Sequence, residues 1–397
     1  MHASSTEPRQ PLPKGYWTIW TTVALDLVGF GIVVPILGVY AERYGASGFE
    51  VGWLFASFSL AQFVMAPVLG RLSDRIGRKP VIVISLVGTA VGSLITGLAG
   101  SLWLLFIGRA LDGASGASLS VAQAAVADIA PPDRRPQMVG MLGAAFGVGF
   151  VLGPAIGGLS ALGGPHVPFF VAAAIAAVNA VAAWIRLPET RAADRPTTSR
   201  PTGSRFAATT PVLRQLALVG FLATFAFVAF ETTFSLFGSA RFDLTEGSAS
   251  VVFLGIGLVL VVVQGGLFGA ASARLGVERL YRGGLALVVV GLAVMAAADS
   301  WLVLCVALFV LAVGQGIASP SITELVNRAA PPTQRGASMG VQQSAGAVAR
   351  VAGPPIAGAM FDGVGVWSPM AMGSVISAAA LVLVVANHRS AHEAATA

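Results

Sequence analysis

The fold is decided by residues 70–80, which read GRLSDRIGRKP. This stretch holds four basic residues around a single acid, Asp74, and long apolar runs lie on both sides of it. Only 11% of the chain is charged, whereas soluble domains carry about 25% charged residues. Because the chain is also 55% hydrophobic, we expect a membrane protein with many spans, and not a nucleic-acid-binding protein, despite the net charge of +6.

Runs of about 20 apolar residues are the signature of membrane-spanning helices. The sequence contains twelve such runs, at 16–40, 50–69, 80–99, 102–127, 137–162, 167–185, 213–238, 248–271, 280–298, 301–325, 336–360 and 367–387. The first run is too long for the apolar part of a signal peptide, so we expect it to remain as a span. We therefore predict an all-α membrane protein with twelve transmembrane helices.

Basic residues lie almost entirely in alternate loops. Of the 24 arginine and lysine residues, 20 lie in the N-terminal segment and the loops on the same side as it, and two, Arg43 and Arg241, lie in the opposite loops. The remaining two, Arg109 and Arg350, lie within spans. Cytoplasmic loops carry such an excess of positive charge, so we predict that both termini are cytoplasmic.

The two halves of the chain repeat each other. Four residues of the stretch at 70–80 recur 199 residues later, as Gly269, Ser272, Arg274 and Gly276. Residues 186–212 are rich in Pro, Thr, Ser and Arg and are predicted to form a cytoplasmic linker. We expect two pseudo-symmetric six-helix bundles, residues 1–185 and 213–397, with the substrate site between them near the middle of the membrane.

Residues 70–79, here called the signature motif, match at every defined position a loop of the major facilitator superfamily. The chain most resembles the twelve-span drug:proton antiporters of the tetracycline-efflux type. The resemblance implies that the acid of this loop holds the halves together on the cytoplasmic side when the pump faces outward. The expected gate residues are Gly70, Asp74, Arg75, Gly77, Arg78, Lys79 and Asp128. The alternative is that the basic residues only anchor the topology, which would require neither the acid nor the glycines.

The fifth span carries a second pattern, with the spacing G-x8-G-x3-G-P-x2-G-G. Its residues, here called the antiporter motif, are Gly140, Gly149, Gly153, Pro154, Gly157 and Gly158. Small residues let helices approach closely, and a proline bends a helix. The full pattern resembles the antiporter motif of the family and implies export, whereas a general packing face is the alternative.

Five ionisable residues lie within predicted spans: Asp26, Arg109, Asp112, Glu231 and Arg350. A charge at the bilayer centre costs at least about 2.5–3.5 kcal/mol on insertion scales, so such residues usually mark an ion or substrate path. We predict Asp26 and Glu231 as the main proton-titrating or cation-binding acids. Arg109 and Asp112 can pair on one helix face and are placed in the same coupling group. Structural ion pairs are the alternative.

Aromatic residues cluster where a central cavity is expected. The predicted cavity residues are Phe30, Phe146, Phe227, Phe230 and Phe234, with Gln62. Such a cavity suits a lipophilic, often cationic, substrate, although each phenylalanine alone could equally face lipid or the core. The ninth span, 280–298, lacks the acid that tetracycline pumps carry, which argues against tetracycline as the substrate.

These observations predict a transporter and not an enzyme. We expect proton-coupled export of small lipophilic compounds by alternating access, in a bacterial plasma (inner) membrane. No phosphate-binding loop G-x4-G-K-[ST] occurs, so the proton gradient is the expected energy source, and neither cofactor nor metal is predicted. The expected partners are the lipid bilayer, protons and the substrate, and the protein is expected to be a monomer. A sugar, metabolite or lipid carrier on the same fold is the alternative.

Overall fold

The structure is a computed structural model that describes residues 12–116, 118–131, 134–191, 210–331 and 334–396. In these ranges the chain forms α-helices and no β-strand. The first half contains α1 (Tyr16–Glu42), α2 (Gly48–Ile76), α3 (Arg78–Gly97), α4 (Leu102–Ser115), α5 (Ser118–Ile129), α6 (Arg135–Ala161) and α7 (Val167–Arg186). The predicted linker falls mostly on residues 192–209, which lie outside the described residues.

The second half also forms six spans, but its divided span is the second and not the fourth. It contains α8 (Pro211–Phe242), α9 (Glu246–Val262), α10 (Phe268–Leu275), α11 (Val277–Ala296), α12 (Trp301–Ala329), α13 (Arg335–Gly363) and α14 (Ser368–Thr396). A π-helical segment, Val263–Leu267, joins α9 to α10 without interrupting the helix. π-Helical segments are rare in proteins, and those that occur often lie at functional sites.

The helices account for the twelve predicted spans. Within the described residues, ten helices are long and apolar enough to cross a membrane, counting α9 and α10 with the π-helical segment as one. The predicted span at 102–127 is divided into α4 and α5, and the span at 336–360 corresponds to the more polar α13. The prediction of an all-α membrane protein with twelve spanning helices is confirmed.

The signature motif differs from the loop predicted for it. Gly70 through Ile76 continue α2, and Arg78 begins α3, so Gly77 alone forms the turn. Gly77 has φ +106°, a left-handed conformation that favours glycine. Gly70 lies inside α2, and no atom lies within 4 Å of the point where its Cβ would be, so neither a turn nor a close contact requires glycine there. The backbone therefore requires glycine at Gly77 but not at Gly70.

The two halves share one apolar core on one side of the molecule and have separate cores on the other. The shared cluster includes Leu37 at the end of α1 and Phe234 and Phe237 of α8. Towards the signature motif, the cluster around Tyr16 contains first-half residues, and the cluster around Tyr281 contains second-half residues. We call the side with the shared core the closed side and the opposite side the motif side.

Candidate transport site and gates

Asp26 lies in α1 and accepts a hydrogen bond from Oγ of Ser118. Ser118 is buried and is the first residue of α5, just after the end of α4 at Ser115. The division between α4 and α5 thus brings a hydroxyl group to the acid. Gln62 of α2 donates from Nε2 to the carbonyl oxygen of Gly116 at 2.7 Å, so its amide group binds backbone at this division.

Arg109 of α4 is buried, with 2% of its surface exposed. Its Nη1 donates to Oδ2 of Asp112 at 2.9 Å, and its guanidinium carbon lies 4.4 Å from the centre of the Phe58 ring. Asp112 also lies near Thr89 and within electrostatic range of Asp26. Nε of Arg109 has no hydrogen-bond partner among the described residues, so one buried donor stays free in this conformation.

The antiporter motif brings α6 against α1 beside Asp26. A Cβ on Gly149 would lie 2.7 Å from the carbonyl oxygen of Leu27, and a Cβ on Gly153 would lie 2.5 Å from Cα of Gly31. Any larger side chain would force the two helices apart. Because Leu27 is the neighbour of Asp26 in sequence, these glycines set how closely α6 approaches the acid.

The motif residues that follow Gly153 lie further towards the closed side. A Cβ on Gly158 would meet Cβ of Ser250 in α9 at 3.0 Å, so this glycine lies at a contact between the halves. Gly157 faces α1, and Pro154 lies inside α6. Gly140 has no atom within 4 Å of a Cβ position and makes no comparable contact.

Glu231 and Arg350 lie on two packed helices of the second half, α8 and α13. They interact electrostatically, yet no hydrogen bond or ion pair joins them among the described residues. Glu231 is partly buried, and Arg350 is exposed. The second half therefore carries an acid and a base that are near each other without being in contact.

The predicted cavity phenylalanines have different surroundings. Phe230 and Phe234 are fully buried, and their ring centres lie 5.3 Å apart. Both rings pack against the ring of Phe253. They belong to the shared core in this conformation. Phe30 packs against Phe58 with ring centres 5.7 Å apart. Phe227 is partly buried, and Phe146 of α6 is 39% exposed.

The signature motif forms a charge cluster around Arg78. Its guanidinium binds Asp74 Oδ1 at 2.7 Å, Asp128 Oδ2 at 3.0 Å and Ser73 Oγ at 2.7 Å. Arg75 at the end of α2 is exposed, and Nζ of Lys79 lies 5.6 Å from the centre of the Trp184 ring. The cluster joins α2, α3 and α5 within the first half, next to a cavity of about 330 Å³.

Glu189 is a further partner of this motif. Its carboxylate accepts hydrogen bonds from the amides of Arg78 and Lys79 at 2.9 and 3.2 Å, at the start of α3. Arg191 donates to the carbonyl oxygen of Arg75. The segment after α7 is thereby tied to both helix ends of the motif. Glu189 is one of two acids in the basic segment after α7, with Asp194, and no local pattern distinguishes it as a partner of the motif.

Among the described residues, polar contacts that include two carboxylates join the halves on the closed side. Arg43 binds Oε1 of Glu246 through Nη2 at 2.7 Å and through Nε at 2.8 Å. The carboxylate of Asp362 accepts hydrogen bonds from the amides of Gly48 and Phe49 at 2.9 and 2.8 Å. A carboxylate at a helix N-terminus is stabilised by free amides and by the helix dipole. None of these residues was predicted as part of a site.

Two helical bundles that share a core on one side of the molecule and separate on the other form the architecture of a membrane transporter. The model of the Major Facilitator Superfamily matches residues 19–269 and 262–396, and the chain belongs to this superfamily. Both the family and the fold indicate a transporter and not an enzyme.

The chain is similar to bacterial resistance proteins. The chain is 32% identical to the class D tetracycline resistance protein of Salmonella ordonez, over 83% of this chain and 85% of that one. It is 29% identical to multidrug resistance protein 1 of Bacillus subtilis (strain 168), over 94% and 96%. Among solved structures, the human organic anion transporter MFSD10 (TETRAN) aligns with a TM-score of 0.70 and 26% identity, covering 94% of this chain and all of that one.

Proposed function

We propose that the protein exports small lipophilic compounds in exchange for protons, by alternating access. The observation that carries this proposal is the shared core on the closed side together with separate cores on the motif side. Such an arrangement leaves the space between the halves accessible from one side of the membrane. A second arrangement, in which the motif side is closed and the present closed side is open, would make the same space accessible from the other side of the membrane.

Proton coupling is proposed to reside in Asp26 and Glu231. Each half then contributes one acid from its first helix, and each acid has a polar neighbour: Ser118 for Asp26 and Arg350 for Glu231. A carboxyl group in an apolar environment keeps its proton more readily than in water, so it can exchange protons near neutral pH. Protonation from outside would displace the substrate and return the empty carrier.

The signature motif is proposed to close the motif side in the other conformation. Its arginines and lysine lie at the ends of α2 and α3, as expected for cytoplasmic positions. In this orientation both termini are cytoplasmic, the protein lies in a bacterial plasma membrane as a monomer, and the structure faces inward. The proton gradient supplies the energy, without a cofactor.

The names of the relatives support export of drug-like compounds, since several are tetracycline or multidrug resistance proteins. Tetracycline is not our favoured substrate, because α11 carries one acid, Glu278, in its first turn on the motif side and none further along. A sugar carrier would need many free hydrogen-bonding groups in the cavity. The amide of Gln62 is already bound to backbone, which weighs against that alternative.

Everted membrane vesicles with an imposed pH gradient test this proposal. A panel of lipophilic dyes and drugs is added, and proton release from the vesicle lumen is followed with a pH-sensitive fluorophore. We expect at least one compound to release protons and to accumulate inside the vesicles. Accumulation that does not depend on the pH gradient would favour a uniporter, and sugar-dependent proton movement would favour the carrier alternative.

A further inference from the structure

The position of Glu231 follows from a contact made one helical turn away. Ser235 of α8 touches the first half, because its Oγ lies so close to the point where a Cβ on Gly38 of α1 would be that a methyl group has no room there. Glu231 precedes Ser235 by four residues, so both lie on the same face of α8. Glu231 therefore borders the space between the halves, immediately on the motif side of that contact.

Arg350 occupies the corresponding position on α13. The carbonyl oxygen of Pro354 lies against Gly52 of α2, in the first half. Arg350 precedes Pro354 by four residues and shares its helix face. The end of α13 lies on the closed side, since Asp362 binds Gly48 there. Arg350 is thus one turn towards the motif side, and its exposure is to the space between the halves.

The charges of Glu231 and Arg350 lie near each other, but the two side chains form neither a hydrogen bond nor an ion pair in the described part of the chain. Nη2 of Arg350 lies 3.7 Å from the point where a Cβ on Gly346 would lie, so the guanidinium extends towards the motif side. Glu231 interacts with it electrostatically without a hydrogen bond. Opposite charges held apart in an apolar region are costly unless other groups bind them, so the pair is suited to a ligand that fits between them.

We propose that the transported compound is a zwitterion, with its cationic group bound by Glu231 and its anionic group bound by Arg350. This inference rests on the proposed function and specifies its substrate class. A simple cation would be repelled by Arg350 and a simple anion by Glu231, whereas a zwitterion satisfies both charges. Exchange is preserved, because the cationic group and the proton compete for the same carboxylate. Phe227, one turn further along the same face of α8, borders the apolar part of the ligand.

Four related aromatic compounds test this proposal. The probes are 2-naphthylalanine, 2-(2-naphthyl)ethylamine, N-acetyl-2-naphthylalanine and the methyl ester of that N-acetyl derivative, which at neutral pH are a zwitterion, a cation, an anion and a neutral molecule. Binding to the purified full-length protein is measured by calorimetry at a fixed pH without a gradient. We expect the zwitterion to bind at least about tenfold more tightly than either singly charged form, as hydrogen bonds to charged groups predict.

Two variants assign each preference to a residue. Arg350→Gln should bind the zwitterion and the cationic amine equally, and Glu231→Gln should bind the zwitterion and the N-acetyl derivative equally. Glu324→Gln and Arg328→Gln are the matched controls, because these residues form an exposed pair at the end of α12, with Nε 2.7 Å from Oε1. Both controls should keep the wild-type preferences. Size-exclusion profiles show whether each variant is folded.

The wild-type protein alone can overturn the proposal, whatever the variants do. Equal binding of the four probes, or binding of none, contradicts a zwitterion site, and so does a preference that survives both Arg350→Gln and Glu231→Gln. The result is independent of the vesicle experiment, because no proton gradient is used. A zwitterion preference without proton release would refute the exchange function and leave the substrate class in place.

Discussion

The carboxylate of Asp362 binds the backbone amide of Gly48, 314 residues away in sequence, at 2.9 Å. A second bond, to the amide of Phe49, completes the cap of α2 by a side chain of α13. The helices touch directly beside it, since Gly358 and Gly52 each leave no room for a Cβ. Opening of the closed side must break this cap, so it contributes to the balance between the two conformations.

Asp362→Asn should favour opening of the closed side, because the amide loses the charge that the helix N-terminus stabilises. The reporter is Ser235→Cys, a buried position between α1 and α8, in a Cys305→Ser background. We expect an impermeant maleimide added outside to label this cysteine several-fold faster in Asp362→Asn. Glu324→Gln serves as the control. Equal labelling rates in all backgrounds would contradict a role for the cap.

The Arg43–Glu246 pair should behave as a second, weaker contact of the same kind. The Arg43 side chain is 51% exposed, and exposed pairs contribute about 0–1 kcal/mol. The single changes Arg43→Glu and Glu246→Arg should each accelerate labelling of the same cysteine, and the double change should restore the slow rate. A double variant that labels as fast as the faster single variant would show that the pair does not join the halves.

Glycines of the antiporter motif should differ in their tolerance of a methyl group. Gly153→Ala places a Cβ against Gly31, and such overpacking costs about 1–3 kcal/mol. We expect a lower unfolding temperature in detergent and slower transport. Gly140→Ala is the matched control in the same helix, and there alanine gains up to about 1 kcal/mol in helix propensity. Similar losses in both variants would refute the packing role of Gly153.

An asparagine substitution should reduce transport in the signature motif but not at the matching position of its repeat in the second half. Asp74→Asn removes the charge that Arg78 binds at 2.7 Å, so we expect impaired transport. Ala273 is exposed at the matching position of the second half, and Ala273→Asn should be nearly silent. Transport rates at equal amounts of protein in the membrane decide between them. Equal effects at both positions would count against a special role of the first-half motif.

Much of the fold could be predicted because the membrane constrains it strongly. Apolar runs long enough to span a bilayer and the alternation of basic residues define spans without any tertiary information. The division between α4 and α5 could not be predicted, since residues 102–127 contain no proline. The small residues Gly113, Ser115 and Gly116 at the break are also common where spanning helices pack together. The end of α2 was misjudged because charged residues after an apolar run indicate a loop, while the helix continues to Ile76.

The site was harder to predict than the fold. The buried charges stand out in an apolar sequence, so Asp26, Arg109 and Glu231 are visible at once. The phenylalanines are not distinctive in this way, because core, lipid and cavity all accept an apolar ring; Phe230 and Phe234 lie in the core. Contacts such as Ser118 with Asp26 depend on helix packing between distant segments, which no local pattern encodes.

The measurement that tests the central claim most directly is the ratio of protons to substrate exchanged in proteoliposomes. Wild-type protein and the variants Asp26→Asn and Glu231→Gln are compared, using a substrate identified in the vesicle panel. We predict substrate-driven proton movement in the wild type, and loss of that movement in at least one variant that still exchanges substrate down its own gradient. Unchanged proton-coupled transport in both variants would contradict the assignment of these acids as the coupling site.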